Sequence, residues 1–538
     1  MSKLPLLPLL VDNVSDAWIT VLRQVGISFT RRTDRNANAG RFVLFDSRRT
    51  NESKLKLLPR QTAIDVARLG ADNTQNNDES WQRISRSLDP RERSIDSSAA
   101  ARDRRAAWRS FPIGDGTSVT ERVSRCDHAS HRRRMMVALR KAIEQAGGVW
   151  LTVSPYPFPY RSMFNFRVDH DRYAAEDFAA MMTMLERLDG QSCTSHFISG
   201  AAFNEQRRPL RRLREWDVGS HGYHHHTYRT TEENLRNIER GIETLRRAGI
   251  DPQGFVAPGG VYNPAIAEAM DQIGVGHSGE FSLVYDDLPL TPVGRQTLQI
   301  PIHPVCLGLF LDSEPQADIA SVVAYFERTI DRFYATGRPI MLYGHPTGRL
   351  GVYPELIRAI FSRVASLGAV WRTTQSRLTQ WWESREAIQI TVLREGGDLV
   401  VRAAGLPRKP QVGIEIRKKK LVARIPMQRQ EVRICPAELG WEPDSHVESA
   451  DETNVEPASV RVAAPGGVRG RIRRLLDWEY ETPWQEIPTS NLRNIIKRAL
   501  RRMKSADSTT TSEAARDPSI RLPAESAIDN DKRDKSAA

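Results

Sequence analysis

The sequence predicts an α/β protein, and three observations carry that expectation. Between about residues 160 and 385, short apolar stretches such as MFNFRVD, CTSHFISG and WDVGSH alternate with helical patterns such as EDFAAMMTMLERL. Strands alternating with helices of this length build a parallel sheet or an α/β barrel, since parallel neighbours need a crossover connection. The second observation is the helix expected over 231–248. Thr230 and Glu233 form a capping box, Leu235, Ile238, Ile242 and Leu245 recur on one face, and Gly249 supplies the stop. The third is composition: 40% hydrophobic and 27% charged residues are ordinary for a globular chain. At roughly 150 residues per domain, the 538 residues correspond to about three to four domains.

The remaining segments follow in order. Residues 1–150 read as an N-terminal α/β region. An amphipathic helix carries Trp18, Val21, Leu22 and Val25, and RFVLFDS at 41–47 reads as a strand. Residues 71–110 are rich in Asn, Asp, Ser and Arg and read as a polar insert. A helix through Arg132–Gln145, closed by Gly147 and Gly148, leads into the strand-like VWLTVSP. Residues 386–445 alternate Ile and Val around Gly-Gly and basic turns, the pattern of hairpins in a small β domain. Residues 446–538 are a basic amphipathic segment followed by a polar tail expected to be disordered.

Other classes drop out. Cys126, Cys193, Cys306 and Cys435 lie far apart with no CxxC pair, which argues against a disulfide framework or an all-cysteine zinc site. No apolar run approaches the ~20 residues of a membrane span. The opening MSKLPLLPLLV lacks a small-residue cleavage site and reads as mature protein, so a cytoplasmic location is expected.

Three features carry chemistry. The strand MFNFRV ends in Asp169-His170-Asp171, two carboxylates where α/β folds place their sites. GSHGYHHHTY ends another strand and supplies His221, His224, His225 and His226. A pair four apart can face one side, so His221 and His225 suit a common metal, with His224 as the alternative. The strand PIMLY ends in GHPTGRLG and brings His345 to a third strand end. One carboxylate and two imidazoles are a usual open zinc set. A second carboxylate beside them could accept a proton from water, and a histidine could protonate a leaving group.

At these residues the segment 160–385 resembles the polysaccharide deacetylases, the NodB-homology group or carbohydrate esterase family four. The resemblance implies a distorted (β/α) barrel. FRVDHD is similar to the family's first motif, implying Asp169 as base and Asp171 as metal ligand. HGYHH is similar to the second, implying His221 and His225 as the other ligands, and TSHFISG resembles the core strand between them. GFVAPGGVYN keeps Ala257, Pro258 and Gly259 of the third motif but has Val256 where the family has an arginine that orients the base. Arg167, two residues before Asp169, could take that place. Asp286 and Asp287 are the nearest candidates for the fourth motif. HPTGR resembles the fifth and implies His345 as general acid. IPIHPVCLG reads as a strand with a buried Cys306, and His303 could line the pocket. Candidate substrate-pocket residues are therefore His224, Pro258, Gly259, Asp287 and His303.

The implied activity is metal-dependent removal of N- or O-acetyl groups from a carbohydrate, with a divalent cation, zinc foremost. The partner would be an acetylated sugar, glycan or glycolipid precursor. Val256 keeps a non-catalytic glycan-binding reading open, and the same apparatus could hydrolyse another C–N bond. The +12 net charge is uneven: residues 466–504 hold ten Lys/Arg and four Asp/Glu, half the surplus. NLRNIIKRALRRM places Leu492, Ile495, Ile496, Ala499 and Leu500 on one helical face. This suits peripheral contact with an anionic membrane, at the inner face for a cytoplasmic protein, or docking on its own domain. No base-reading module argues for nucleic acid.

Overall fold

The computed structural model describes residues 4–50, 55–69, 106–113, 118–124, 128–203, 207–228, 230–262, 264–280, 287–292, 294–312 and 317–444. All belong to the first of two compact units, Met1–Gly466. Most of the polar insert, Cys126, Asp286 and the stretch 446–538 with its basic amphipathic segment lie outside the described residues. The α/β expectation holds, with parallel sheets at the centre.

Strand Ser162–His170 is the axis of the segment 160–385, and all nine of its residues are buried. Successive side chains point to opposite faces of a strand. Phe164, Phe166 and Val168 pack into one core with Phe178, Met182, Ile330 and Phe361 from the surrounding helices. Asn165, Arg167 and Asp169 take the other face, which is polar and hydrogen-bonded. The strand pairs in parallel with Thr194–Ile198 on one side and Ile340–Gly344 on the other, and Val370–Arg372 pairs with its first residues. Asp217–Ser220 extends the sheet beyond Thr194–Ile198. Isolated bridges Ser220–Phe255 and Gly254–His277 continue it to His277–Ser278, which pairs with Leu298–Gln299. The chain after Gln299 then reaches the opposite edge: His303 N–H donates to Met341 O (2.9 Å) and Leu307 N–H to Tyr343 O (2.7 Å).

Register brings three strand ends together. Val168 lies opposite Gly344, so Asp169 and His345 emerge at one level. Ile198 lies opposite both His170 and Ser220, so Asp171 and His221 follow one residue later.

The N-terminal sheet is also parallel, in the order Phe29–Arg31, Leu9–Asp12, Phe42–Phe45, Thr62–Asp65. Its helix Asp16–Val25 ends at Gly26, whose φ of 77° is left-handed and whose Cβ would lie 2.4 Å from Arg385 Nη2. Only glycine suits that close approach. Arg385 is buried without a carboxylate among its hydrogen-bond partners and donates to carbonyls of Arg23, Gln24, Val153 and Ser154. Burial brings its pKa down to about 10, still charged at neutrality. It ties the helix end to Trp150–Val153 and to its own helix, Gln375–Glu386.

The strands after 386 form two antiparallel sheets. One contains Gln389–Glu395, Asp398–Ala404 and Glu431–Ile434. The other contains Val412–Lys418, Leu421–Met427 and Glu442–Pro443, and takes in Trp150–Val153 as a neighbour of Val412–Lys418. Trp18, Leu22, Trp150, Trp382 and Val401 share one core, so these strands and the N-terminal unit are packed as one body. No helix among the described residues is long and apolar enough to cross a membrane.

Candidate active site

Asp171, His221 and His225 converge at the ends of their strands. Asp171 Oδ1 lies 3.3 Å from His221 Nε2 and 3.2 Å from His225 Nε2. The three ligand atoms sit within 4.8 Å of one another. His345 Nε2 approaches the other carboxylate oxygen, Asp171 Oδ2, at 3.5 Å. Burial raises the Asp171 pKa, but the surrounding imidazoles outweigh it and hold the carboxyl well below its usual range.

The histidine loop is held from outside. His221 Nδ1 lies 2.6 Å from Val256 O, and a carbonyl can only accept, so Nδ1 carries the proton. The residue at the motif-arginine position thus contributes through its backbone. Asn237, buried on helix Thr231–Arg247, accepts from His224 N–H (2.8 Å) and donates to the carbonyls of His224 (3.0 Å) and His226 (3.1 Å). Asn234 makes the equivalent pair of bonds with Tyr228. Gly222 has φ 77°, and a Cβ there would lie 2.6 Å from Asn237 Nδ2. The helix itself starts as the sequence indicates, with Thr230 accepting from Glu233 N–H.

Asp169 is 3% exposed and locked to Arg167. Arg167 Nε donates to Oδ1 (2.8 Å) and Nη2 to Oδ2 (2.6 Å), a bidentate fork from the same face of the same strand. Arg167 Nη1 donates to Gly279 O (3.1 Å), and its guanidinium lies 5.2 Å from the Tyr343 ring centre. Burial works against the Arg167 charge, yet Asp169 more than compensates and its pKa is raised.

His345 follows Ile340–Gly344. Arg349 Nη1 donates to His345 Nδ1 (3.2 Å) and to Cys306 Sγ (3.2 Å), and the thiol itself is 3.5 Å from Nδ1. With Nδ1 accepting, the neutral ring carries its proton on Nε2, toward Asp171. Burial lowers the His345 pKa; Asp171 opposes this and Arg349 reinforces it.

The other predicted pocket residues lie in three places. His224 is buried edge-on against Tyr223, ring centres 4.6 Å apart, and is not one of the three converging ligands. Pro258 and Gly259 form the turn after Val256, where Gly259 adopts φ 63°. Asp287 and His303 both line a cavity of about 530 Å³ at the start of Ile340–Gly344, whose lining does not include Asp171, His221 or His225. Asp287 is drawn there by Arg132, Arg133 (2.6 Å) and Arg338 (3.2 Å), which hold its carboxyl well below the usual range against burial. His303 is held there by its backbone bond to Met341. Sequence reasoning missed Asn237, Arg349 and Glu280. Glu280 is buried, accepts from Ala257 N–H (3.1 Å) and from the Ser278 hydroxyl, and so anchors the turn beside His221. Only the HPTGR spacing, with Arg349 four residues after His345, offered a signal.

No family model matches the chain, and no curated protein matches it. Solved structures do. The chain is similar to a Mycobacterium smegmatis protein assigned as a polysaccharide deacetylase, at 16% identity over 45% of this chain and 96% of that one, with a TM-score of 0.39. It is similar to PuuE allantoinase at 16% identity, over 43% and 93% of the two chains, TM-score 0.37. A mutant of a CE4 family pseudoenzyme is similar at 14% identity, over 53% and 98%, TM-score 0.30.

Proposed function

We propose that this chain is a metal-dependent hydrolase that removes N- or O-acetyl groups from a carbohydrate, on a distorted (β/α) barrel. The observation that carries the reading is the convergence of Asp171, His221 and His225 with Asp169 and His345 at adjacent strand ends. The strand pairings that run from Ile340–Gly344 round to residues 303–307 support the barrel.

The donor set fits a metal. With Nδ1 committed to Val256, Nε2 is the ring atom of His221 left to ligate, and it faces Asp171 Oδ1, which accepts no hydrogen bond of its own. A carboxylate oxygen and an imidazole nitrogen 3.3 Å apart suit a shared cation. Donors about 2.0–2.2 Å from a tetrahedral ion stand about 3.3–3.6 Å apart, close to the two Asp171–histidine spacings. Asp171, His221 and His225 would hold a divalent ion, zinc first among candidates, which supplies Lewis acidity toward an acetyl carbonyl and toward water.

The protein's own groups divide the proton work. Asp169 accepts the proton of the attacking water, using carboxylate lone pairs that the Arg167 fork leaves free. Arg167 orients that carboxylate through its bidentate fork, the task Val256 cannot perform. His345, in its imidazolium form, gives its Nε2 proton to the departing amine or alcohol, and acetate leaves. The Arg167–Asp169 pair favours this catalytic reading over a glycan-binding scaffold. Hydrolysis of another C–N bond would use the same groups, and a substrate panel separates the two. The test measures bound metal and acetate release from acetylated sugars for wild type and His221→Ala. Wild type should bind about one metal and release acetate, and His221→Ala should lose both. Metal bound without acetate from any N- or O-acetyl sugar would overturn the reading.

A further inference from the structure

We propose that the cavity at the start of Ile340–Gly344 is a second site, one that binds a phosphate or small phosphate-ester anion. It has a volume of about 530 Å³, enough for a ligand of monosaccharide-phosphate size. It lies at the opposite end of the strand from His345. From Arg338 to His345 is seven residues, about 23 Å at strand rise.

Four arginines line it: Arg133, Arg328, Arg332 and Arg338. Asp287 is the single carboxylate in the lining, and it is shared by Arg132, Arg133 and Arg338. One carboxylate held by three guanidinium groups fixes those side chains in place, and among the lining residues the balance is four arginines to one carboxylate. Arg328 and Arg332, one helical turn apart on Ile319–Ala335, add two further charges. Among the described residues no carboxylate pairs with either. Arg328 Nη2 donates to Ile113 O (3.2 Å), and Arg332 lies 5.4 Å from the Phe333 ring centre. Each is held by one group and keeps further N–H donors. Planar guanidinium forks match phosphate oxygens bidentately, and a dianion offsets a surplus that a neutral ligand would leave standing. Behind the arginines, His303 sits in a box of rings, with Tyr325 at 6.1 Å and Phe333 at 6.1 Å. Those walls suit a ring carried on the phosphate. The inference does not depend on the hydrolase reading, since it shares no residue with the metal cluster.

Isothermal titration calorimetry of the full chain with inorganic phosphate and with a hexose 6-phosphate tests it, alongside flotation with phosphatidic acid and with phosphatidylcholine vesicles. Saturable binding of phosphate or the sugar phosphate is expected. Arg328→Gln with Arg332→Gln should weaken it at least about tenfold, with Tm unchanged because both positions are exposed. Raised ionic strength should weaken it too. Binding to phosphatidic acid but not phosphatidylcholine, lost in the same double variant, would assign the phosphoryl group to a lipid and still support the site. Absence of saturable binding to every probe, or binding indifferent to the double variant, overturns the proposal.

Discussion

Two arginine–carboxylate clusters sit at opposite ends of one strand neighbourhood, and their stoichiometry separates their roles. Asp169 has one arginine, Arg167, in a closed bidentate pair that is 2–4% exposed. Charge cancels there, and what remains is orientation of a carboxylate beside the proposed metal ligands. Asp287 has three arginines and faces a cavity. The lining there holds four arginines and one carboxylate, the basis of the proposed anion site. The same residue types thus give an oriented carboxylate in one place and a cavity lined by arginines in the other.

Substitutions can break or sharpen that contrast. The largest effect is expected from Asp171→Ala, which removes the only carboxylate of the ligand set: bound metal, read by elemental analysis, should fall to background and acetate release with it. Arg167→Met comes next. It leaves Asp169 buried without its partner and should cost about 3–5 kcal/mol in urea unfolding, the usual penalty for half a buried pair. Asp287→Asn should cost less, about 1.5–3 kcal/mol, because the arginines it releases can turn toward solvent or anion. The Asp287 contribution has a definite pH sense. Its carboxyl is depressed in the folded state, so the stabilisation is complete above an unfolded pKa of about 4 and fades as pH falls toward the folded value. In Asp287→Asn that acid-side loss should shrink. Asn237→Ala should weaken metal affinity by about 10- to 100-fold, the scale of outer-shell partners, while leaving phosphate binding intact. Thr230→Ala, a helix cap remote from both clusters, should cost about 1 kcal/mol and change neither ligand.

Much of this layout is legible in the sequence where contacts are local. Alternating strands and helices announce the α/β core, because period-2 and period-3.6 patterns need no knowledge of partners. Asp169, Asp171 and His345 are readable as strand-end residues, and the spacing of His221 and His225 suggests a common target. What is not legible is whatever depends on distant chain segments. Arg349 and Cys306 meet His345 from positions 43 residues apart. Asp287 is pulled away from the metal end by arginines more than 150 residues upstream, which no local pattern reveals. Trp150–Val153 pairs with Val412–Lys418, so a segment that reads as the end of one region is a strand of another. Asn234 and Asn237 look like interruptions of an apolar helix face, whereas they hold the histidine loop. Val256 reads as a lost arginine, yet Arg167 supplies the charge and the Val256 carbonyl serves His221.

The central claim is that Asp169, oriented by Arg167, takes the proton during metal-assisted acetyl removal. The most direct measurement compares acetate release by wild type and Asp169→Asn, each with its bound metal quantified. The account predicts a metal content unchanged from wild type and a rate lower by about 10²-fold or more. An Asp169→Asn protein that keeps its metal and releases acetate at the full rate would contradict it.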